Sequence, residues 1–290
     1  MTTAPHLDWG AEALWEQLEP LLPGLSVEVV RQADSTNTRL LERARGGVDA
    51  RGSAGVAPPG VARARRAMDA QPCLYVAERQ TQGRGRMGRG WVASPGASLT
   101  FSLALPLAPT EWSGLSLAVG LALADALEPG TPARIGLKWP NDLWLLDAPH
   151  AGRKLGGILI ETVSIGAQRL CVVGVGLNVL PLPAPDLSQG YACVQELNAE
   201  ATAPGVLVQV ALPLVRMLQA FEADGFGPLV GRYGRRDVLR GQPVSTTLPA
   251  LPQGVAQGVD ALGALQVAQE GVLHAISSGE VSVRLRPQEA

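Results

Sequence analysis

The chain is short of lysine, although it is not short of positive charge. Lysine and arginine together number 24 among 290 residues, and only Lys138 and Lys154 are lysines. Exposed positions tolerate arginine in place of lysine, but a site that needs a compact ammonium on a thin stem does not. Because both lysines fall within one short stretch, that stretch is a candidate functional site.

Other scarcities narrow the function classes. The formal net charge of −2 gives no overall attraction for nucleic acid or for an anionic membrane. Aromatic residues make up 4% of the chain, which argues against a surface that stacks nucleic-acid bases. Cys73, Cys171 and Cys193 are odd in number and lack the spacing of metal ligands. They are typical of small buried hydrophobic residues in a reducing cytosol.

No segment is predicted to span a membrane. The longest apolar stretch, residues 115–127, is too short and lies beside Asp125 and Glu128. No basic head precedes an apolar run near residue 1, so no secretory signal is expected. With 46% hydrophobic and 17% charged residues the chain can bury a core, and a cytoplasmic globular protein without a membrane partner is expected.

Hydrophobic periodicity predicts an α+β chain. Helices are predicted over residues 9–22, from near Ser35, over 115–127, and over 207–221 with a kink at Pro213. Strands are predicted over residues 27–30, 74–77, 98–105, 134–138, 143–146, 157–163 and 170–179.

The pattern changes near residue 235 to short β segments punctuated by glycine, which is typical of a small barrel. We therefore predict a catalytic domain over residues 1–234 and a β domain over residues 235–290. Residues 46–71 are rich in Gly, Ala, Pro and Arg without apolar periodicity, and they are predicted to be a mobile insertion.

A glycine- and arginine-rich run follows the strand predicted over residues 74–77. It is Gly83-Arg84-Gly85-Arg86-Met87-Gly88-Arg89-Gly90-Trp91, and no Asp or Glu lies between Glu78 and Glu111 to neutralise it. Glycines let backbone amides approach a ligand, and arginines bind phosphate oxygens in bidentate fashion. The run therefore predicts a polyphosphate-binding loop; the alternative is a solvated basic turn.

Two common phosphate motifs do not fit this run. Gly83, Gly85 and Gly88 have the spacing of a dinucleotide fingerprint, but that motif opens a helix, and here Pro95 and a strand-like pattern follow. A P-loop requires Lys-Ser or Lys-Thr after its last glycine, where this chain has Arg89.

The two lysines lie in the runs Lys138-Trp139-Pro140-Asn141-Asp142 and Lys154-Leu155-Gly156-Gly157-Ile158. The Pro, Asn and Asp indicate a turn between two strands, but a turn explains neither lysine. A lysine at a strand start can reach a phosphate or a carboxylate, and Asp142 can orient an amine or accept its proton. For Asp142 both the turn and the functional interpretation stay open.

Two further segments are ambiguous. Asp34-Ser35-Thr36-Asn37 supplies helix-capping residues, but the same side chains can hydrogen-bond a neutral polar ligand such as a urea-like ring. Gly174-Val175-Gly176-Leu177-Asn178 is predicted as a strand whose two glycines indicate close approach of another backbone or a ligand.

Taken together and in this order, these segments resemble the biotin protein ligase family. The matching pieces are residues 34–37, Glu78 with Gln80, and residues 83–91, 138–142, 154–158 and 174–178. The resemblance implies an α+β fold like that of class II synthetases: a central mixed β-sheet with helices packed on one face, followed by a small C-terminal SH3-like β-barrel.

The resemblance also implies roles for individual residues. Those implied to bind biotin or nucleotide are Ser35, Thr36, Asn37, Gln80, Arg84, Gly85, Arg86, Trp91, Lys154, Gly157 and Asn178. Trp91 would stack near adenine, and Lys154 would bind the biotin carboxylate and the α-phosphate. The implied catalytic residues are Lys154, Arg84, Arg86 and Asp142, with Asp142 assisting the incoming lysine; no protein metal site is implied.

The implied reaction consumes ATP with Mg²⁺ and activates biotin as biotinyl-5′-AMP. A lysine of a biotin carboxyl carrier domain, in acetyl-CoA carboxylase or another biotin-dependent carboxylase, then attacks the mixed anhydride. Family members that repress transcription carry an N-terminal helix-turn-helix domain, whereas about 30 residues precede Ser35 here, so no DNA binding is expected. A homodimer is compatible with the resemblance.

Two alternatives remain. A lipoate or octanoate ligase or transferase shares the broad fold, but it would be expected to show a histidine-bearing arginine loop, and His6, His150 and His274 all lie far from Gly83. A non-catalytic nucleotide- or RNA-binding module would be expected to have interleaved aromatic residues and a basic balance, which this chain lacks.

Overall fold

The computed structural model describes residues 7–46, 70–130, 133–182, 190–277 and 282–285. In these residues the helices are α1 (Ala11–Leu18), α2 (Thr36–Ala44), α3 (Leu115–Leu127), α4 (Ala203–Asp224) and α5 (Val230–Gly234). The first seven strands are β1 (Ser26–Ala33), β2 (Cys73–Gln80), β3 (Ser98–Pro106), β4 (Ile135–Lys138), β5 (Asp142–Ala148), β6 (Ala151–Ile165) and β7 (Gln168–Asn178). The last five are β8 (Pro243–Thr246), β9 (Gln253–Val259), β10 (Leu265–Gln269), β11 (Val272–Ile276) and β12 (Val283–Leu285).

The first seven strands form one mixed sheet in the order β1-β2-β3-β7-β6-β5-β4. Strand β1 runs parallel to β2, whereas β2–β3, β3–β7, β4–β5 and β5–β6 are antiparallel. The other five strands form a separate antiparallel sheet in the order β11-β10-β9-β8-β12. The predicted α+β fold, with a mixed central sheet and a C-terminal β appendix, is confirmed.

The predicted elements are present, with shifted ends. Helix α1 ends at Leu18 and not at residue 22, because Pro20 has no backbone N–H to continue the helical hydrogen bonds. The predicted insertion at residues 46–71 falls almost entirely outside the described residues. The division at residues 234 and 235 stays a prediction.

Two compact units make up the chain. Unit 1 comprises the described residues of Met1–Ala108, Leu159–Leu180 and Ala201–Leu212. Its helix α2 packs on β2, β3 and β7. The contact buries Leu40 and Leu41 of the helix against Tyr75, Ala104 and Val172 of the strands, and burial of each large aliphatic side chain contributes about 1.5–3 kcal/mol.

Unit 2 comprises the described residues of Pro109–Ile158, Pro181–Glu200 and Pro213–Ala290. Helix α3 packs on β4, β5 and α5. Two side chains at the end of β4 bond to the C-terminal part of the chain: Lys138 Nζ donates to the Val283 carbonyl at 3.0 Å, and Trp139 Nε1 donates to the Gly263 carbonyl at 3.1 Å. Because Lys138 is buried and lies over the Trp144 ring, its contacts are structural.

Helix α4 is long and apolar enough to cross a membrane by length and composition alone, a feature that the sequence-based search did not single out. Its buried positions recur every three or four residues, and half of its most apolar window is buried within the protein. This is the pattern of an amphipathic core helix in a globular protein.

The Arg236 side chain is the charged centre of unit 2. It is 8% exposed and donates to the carboxylates of Asp125 and Glu128 and to the carbonyls of Glu128 and Ile135, at 2.9–3.1 Å. Arg232 also binds Asp125, at 2.7 Å, but its side chain is 46% exposed. The two arginines therefore provide a buried and an exposed ion pair on one carboxylate.

We expect Arg236→Met to lower the free energy of unfolding by about 3 kcal/mol, because it leaves buried acceptors without their donor. Arg232→Met, the matched control, should cost less than about 1 kcal/mol because water replaces the lost contact. Urea unfolding followed by circular dichroism measures both. Equal losses in the two variants would contradict the assignment of Arg236 as the buried centre.

Candidate functional site

The Ser-Thr-Asn motif forms the start of helix α2 in unit 1. Ser35 has extended backbone angles and caps the helix by accepting from the Thr38 amide. Ser35, Thr36 and Asn37 are all buried. The predicted cap is therefore confirmed, but a cap accounts only for Ser35, and the other two polar side chains must find partners inside the protein.

Thr36 and Asn37 find these partners on three strands. The Thr36 amide donates to Gln80 Oε1 at 2.8 Å, and Ser102 Oγ lies 2.7 Å from Thr36 Oγ1. Ser102 also donates to Asn37 Oδ1 at 2.6 Å. Asn37 Nδ2 donates to the Leu159 carbonyl at 3.1 Å and to Glu161 Oε2 at 2.9 Å. These bonds use both protons of the carboxamide and fix its orientation.

Two glycines of β7 make room for side chains of this network. A methyl group at Gly174 would overlap Asn37 Oδ1, and a Cβ at Gly176 would lie 2.5 Å from Trp91 Cε2. The prediction of a close approach at these glycines was correct, but in the structure side chains approach them. Asn178 ends the same strand as a buried polar residue opposite Ser98.

The arginine-glycine loop is a compact turn. The Trp91 amide donates to the Gly83 carbonyl at 2.8 Å, and the Gly85 amide donates to the Arg89 carbonyl at 2.7 Å. A single 3₁₀ turn, Arg86–Gly88, forms the tip, with Met87 at a φ of 56°. The amides of Gly85, Arg89 and Trp91 thus bond within the loop.

The positive charge of the loop meets an acid from a distant strand. Arg84 Nη2 donates to Glu161 Oε2 at 2.9 Å and to Oε1 at 3.2 Å. The loop has no acid nearby in the sequence, as noted above, and the partner of Arg84 is instead Glu161, 77 positions away. Glu161 also accepts from Asn37, so one continuous network runs from Gln80 through Thr36, Ser102, Asn37 and Glu161 to Arg84.

Lys154, Asp142 and Gly157 come together in unit 2. The β5–β6 hairpin pairs Asp142 with Gly157, and Lys154 Nζ donates to Asp142 Oδ1 at 2.8 Å. A Cβ at Gly157 would lie 3.4 Å from Asp142 Oδ1 and 3.5 Å from Lys154 Nζ, so glycine leaves one side of the ion pair open. Residues 149 and 150, which lie between Asp142 and Lys154, form the turn of this hairpin.

The cysteines offer no nucleophile. All three are buried free thiols, as predicted. Burial raises the pKa of Cys73 to about 11 and that of Cys171 to about 12, and it also raises the pKa of Cys193. A thiol that stays protonated at neutral pH is a poor nucleophile.

Two residues of the network, Ser102 and Glu161, were not predicted. Ser98, Thr100 and Ser102 alternate with large apolar residues on β3, which is the pattern of a strand with one face in water. In the structure both faces of β3 are buried. Three polar residues on alternate positions of a strand that lies in the middle of a sheet are the signal that could have identified Ser102.

Comparisons with known proteins identify the family of the chain. Residues 67–178 match the biotin/lipoate A/B protein ligase family, and residues 241–284 match the biotin protein ligase C terminal domain. The chain is 32% identical over 275 residues to the bifunctional ligase/repressor BirA of Escherichia coli, a match that covers 93% of this chain and 77% of that protein. The match to BirA of Salmonella typhimurium, at 34% identity, covers 72% of this chain and 66% of that protein.

A second relative and a solved structure extend the comparison. The chain is 34% identical over 288 residues to the biotin–[acetyl-CoA-carboxylase] ligase of Mycobacterium tuberculosis, covering 96% of this chain and 92% of that protein. A structure of the Aquifex aeolicus biotin protein ligase in complex with biotin and ATP superposes with a TM-score of 0.69 at 26% identity. It covers 90% of this chain and 99% of that one. On the fold, the polar network and these relatives together, the chain belongs to the biotin protein ligase family.

Proposed function

We propose that this chain is an ATP-dependent biotin protein ligase, which activates biotin as biotinyl-5′-AMP and transfers it to a lysine of a biotin carboxyl carrier domain. The network from Gln80 to Arg84 is the observation that carries the proposal. It joins a cluster of fixed neutral polar side chains to a guanidinium. A ligand with a neutral polar ring and an anionic group matches that combination.

In the first half-reaction the carboxylate of biotin attacks the α-phosphorus of ATP. An oxygen–phosphorus bond forms, the bond to the β-phosphate oxygen breaks, and pyrophosphate leaves. Arg84 and Arg86 in unit 1, and Lys154 in unit 2, are the cations assigned to oxygen atoms of the two anions; such cations lower the repulsion between the anions as charge develops. Ser35, Thr36, Asn37 and Gln80 hold the ring of biotin, and Trp91 stacks near adenine.

In the second half-reaction the ε-amine of the acceptor lysine attacks the carbonyl carbon of the mixed anhydride. An amide bond forms, AMP leaves with the anhydride oxygen, and the amine loses a proton. Asp142 orients this amine and accepts the proton. Since the anhydride is already activated, no Ser or Cys of the enzyme forms a covalent intermediate, which agrees with the buried, protonated cysteines.

Mg²⁺ enters as part of the substrate MgATP. No group of three or more His, Cys, Asp or Glu side chains that could hold a metal occurs among the described residues. Mg²⁺ in nucleotide sites is held largely by phosphates and water, with one or two carboxylates. Of the remaining predicted ligand-binding residues, Gly85, Gly157 and Asn178 keep that role in the proposal.

The acceptor is inferred to be the carrier domain of acetyl-CoA carboxylase or of another biotin-dependent carboxylase. We infer a cytoplasmic location, since ATP is a substrate and all three cysteines are free thiols. The expected absence of DNA binding and the compatible homodimer stay predictions.

Biotin-dependent exchange of pyrophosphate into ATP tests the proposed activity. We expect exchange with biotin and none above background with lipoate or octanoate. Absence of exchange with biotin, in protein shown by circular dichroism to be folded, would reject the proposal. Exchange with lipoate alone would favour the lipoate ligase alternative.

Because Asp142 holds Lys154 at 2.8 Å, removing the aspartate would disturb both half-reactions. Asp142→Asn keeps an oxygen for Lys154 but no longer accepts a proton. We expect it to leave exchange within about threefold of wild type while slowing transfer to an acceptor domain by about 100-fold. Lys154→Met should slow exchange itself by about 100- to 1,000-fold.

Arg31→Gln, which removes an exposed cation from β1, is the control for these two variants, and it should change neither rate by more than about twofold. Equal effects of Asp142→Asn on exchange and transfer would contradict the assignment of the proton to Asp142.

Gly174→Ala tests the polar cluster. The added methyl overlaps Asn37 Oδ1, so Asn37 must move and lose its bonds to Ser102 and Glu161. We expect the KM for biotin in the exchange assay to rise by about tenfold or more, the equivalent of about 1.4 kcal/mol. Gly231→Ala, where nothing lies within 4 Å of the new methyl, is the matched control. An unchanged KM in Gly174→Ala would argue against Asn37 as a biotin contact.

A further inference from the structure

Glu161 occupies the junction between the two predicted halves of the biotin site in unit 1. A single oxygen, Oε2, accepts from Asn37 Nδ2 at 2.9 Å and from Arg84 Nη2 at 2.9 Å. Asn37 belongs to the Ser-Thr-Asn motif, whereas Arg84 belongs to the arginine-glycine loop. No other side chain in the described residues is recorded as bonding to both.

The contacts restrain the two partners to different degrees. Asn37 bonds to Glu161, the Leu159 carbonyl and Ser102, so its carboxamide has a fixed orientation. Arg84 donates to Glu161 through Nη2, and within the described part of the chain its Nε and Nη1 keep the rest of the guanidinium fork for a ligand's oxygen atoms. Glu161 therefore orients Arg84 without occupying all of its donors.

An ordinary exposed ion pair has the same geometry as the Glu161–Arg84 pair, but it contributes only about 0–1 kcal/mol to stability and has no role in function. This pair differs in its environment. The Glu161 side chain is 27% exposed and that of Arg84 44% exposed, but the same carboxylate oxygen reaches Asn37, which is buried. A buried carboxamide that loses an acceptor must reorient or stay unsatisfied.

We propose that Glu161 is a positioning residue, whose carboxylate fixes the Asn37 carboxamide and the Arg84 guanidinium as one unit for biotin. The role rests on the proposed function, because it assigns Asn37 and Arg84 to biotin. Glu161 itself contacts no substrate. Its removal weakens biotin binding by freeing both partners at once, and it changes the chemical step little.

Glu161→Gln tests this role, since a carboxamide of the same shape carries no charge and only one acceptor oxygen. Calorimetric titration with biotin alone should show a Kd about tenfold higher than that of wild type. In the exchange assay the KM for biotin should rise by a similar factor while kcat stays within about threefold. Glu16→Gln, the same change on the exposed face of α1, should alter neither value.

Coupling to Arg84 separates positioning from a general loss of structure. If Glu161 acts partly through Arg84, the Kd of Arg84→Gln/Glu161→Gln should be lower than the product of the two single effects predicts. A lowered thermal midpoint with an unchanged Kd, or fully multiplicative effects in the double variant, would overturn the proposal. If Glu161→Gln does not fold, Glu161→Asp replaces it as the test, since aspartate keeps the charge but has a shorter side chain. We expect a smaller rise in Kd for Glu161→Asp, and an unchanged Kd in that variant would also overturn the proposal.

The proposed function and this inference fail differently. A wild-type chain that neither binds biotin nor supports exchange overturns both. A wild-type chain that is active, with Glu161→Gln indistinguishable from it in Kd and KM, overturns only the role of Glu161.

Discussion

Polar side chains that are buried in a protein have to be hydrogen-bonded, because each unsatisfied group costs about 1–3 kcal/mol. In unit 1 this requirement falls on Thr36, Asn37 and Ser102, which are all buried. Their bonds connect the start of α2 with strands β2, β3 and β6. Position 174 requires glycine, because a Cβ there would overlap Asn37 Oδ1. The site and the packing of the helix on the sheet are thus consequences of the same interactions.

Most of the fold could be predicted from the sequence, since its signals are local. Helix α3 has the predicted bounds, and the cap at Ser35 is confirmed. The site was only partly predictable. Glu161 ends a run of apolar residues on β6, and its link to Arg84 depends on a pairing of strands that no local pattern specifies. Thr36 and Asn37 were recognised, but their partner Ser102 was hidden in an alternating pattern typical of an exposed strand face.

The two lysines show the limit of inference from composition. Scarcity singled out both, and they turn out to have different environments. Lys154 pairs with Asp142 on a hairpin that glycine leaves open on one side, whereas Lys138 is buried and bonds to the carbonyl of Val283, 145 positions along the chain. A compact ammonium is needed at both places, in one for a candidate reaction and in the other for the attachment of the C-terminal strands within unit 2. Residue type alone does not distinguish these two roles. The hydrogen-bond partners of each lysine in the folded protein do.

The direction of the hydrogen bonds in the network bears on which carboxylic acid the proposed site accepts as a substrate. Asn37 Oδ1 can only accept, so the single hydroxyl proton of Ser102 is donated to it. The single proton of Thr36 Oγ1 is then donated to Ser102 Oγ at 2.7 Å or to Gln80 Oε1 at 3.3 Å, and in both cases it is used within the network. In the proposed biotin site Thr36 therefore has only lone pairs left for the ligand, and the ligand has to bring the N–H. The ureido ring of biotin carries two such groups, whereas the dithiolane of lipoate and the alkyl chain of octanoate carry none, so the proposed site would discriminate against both.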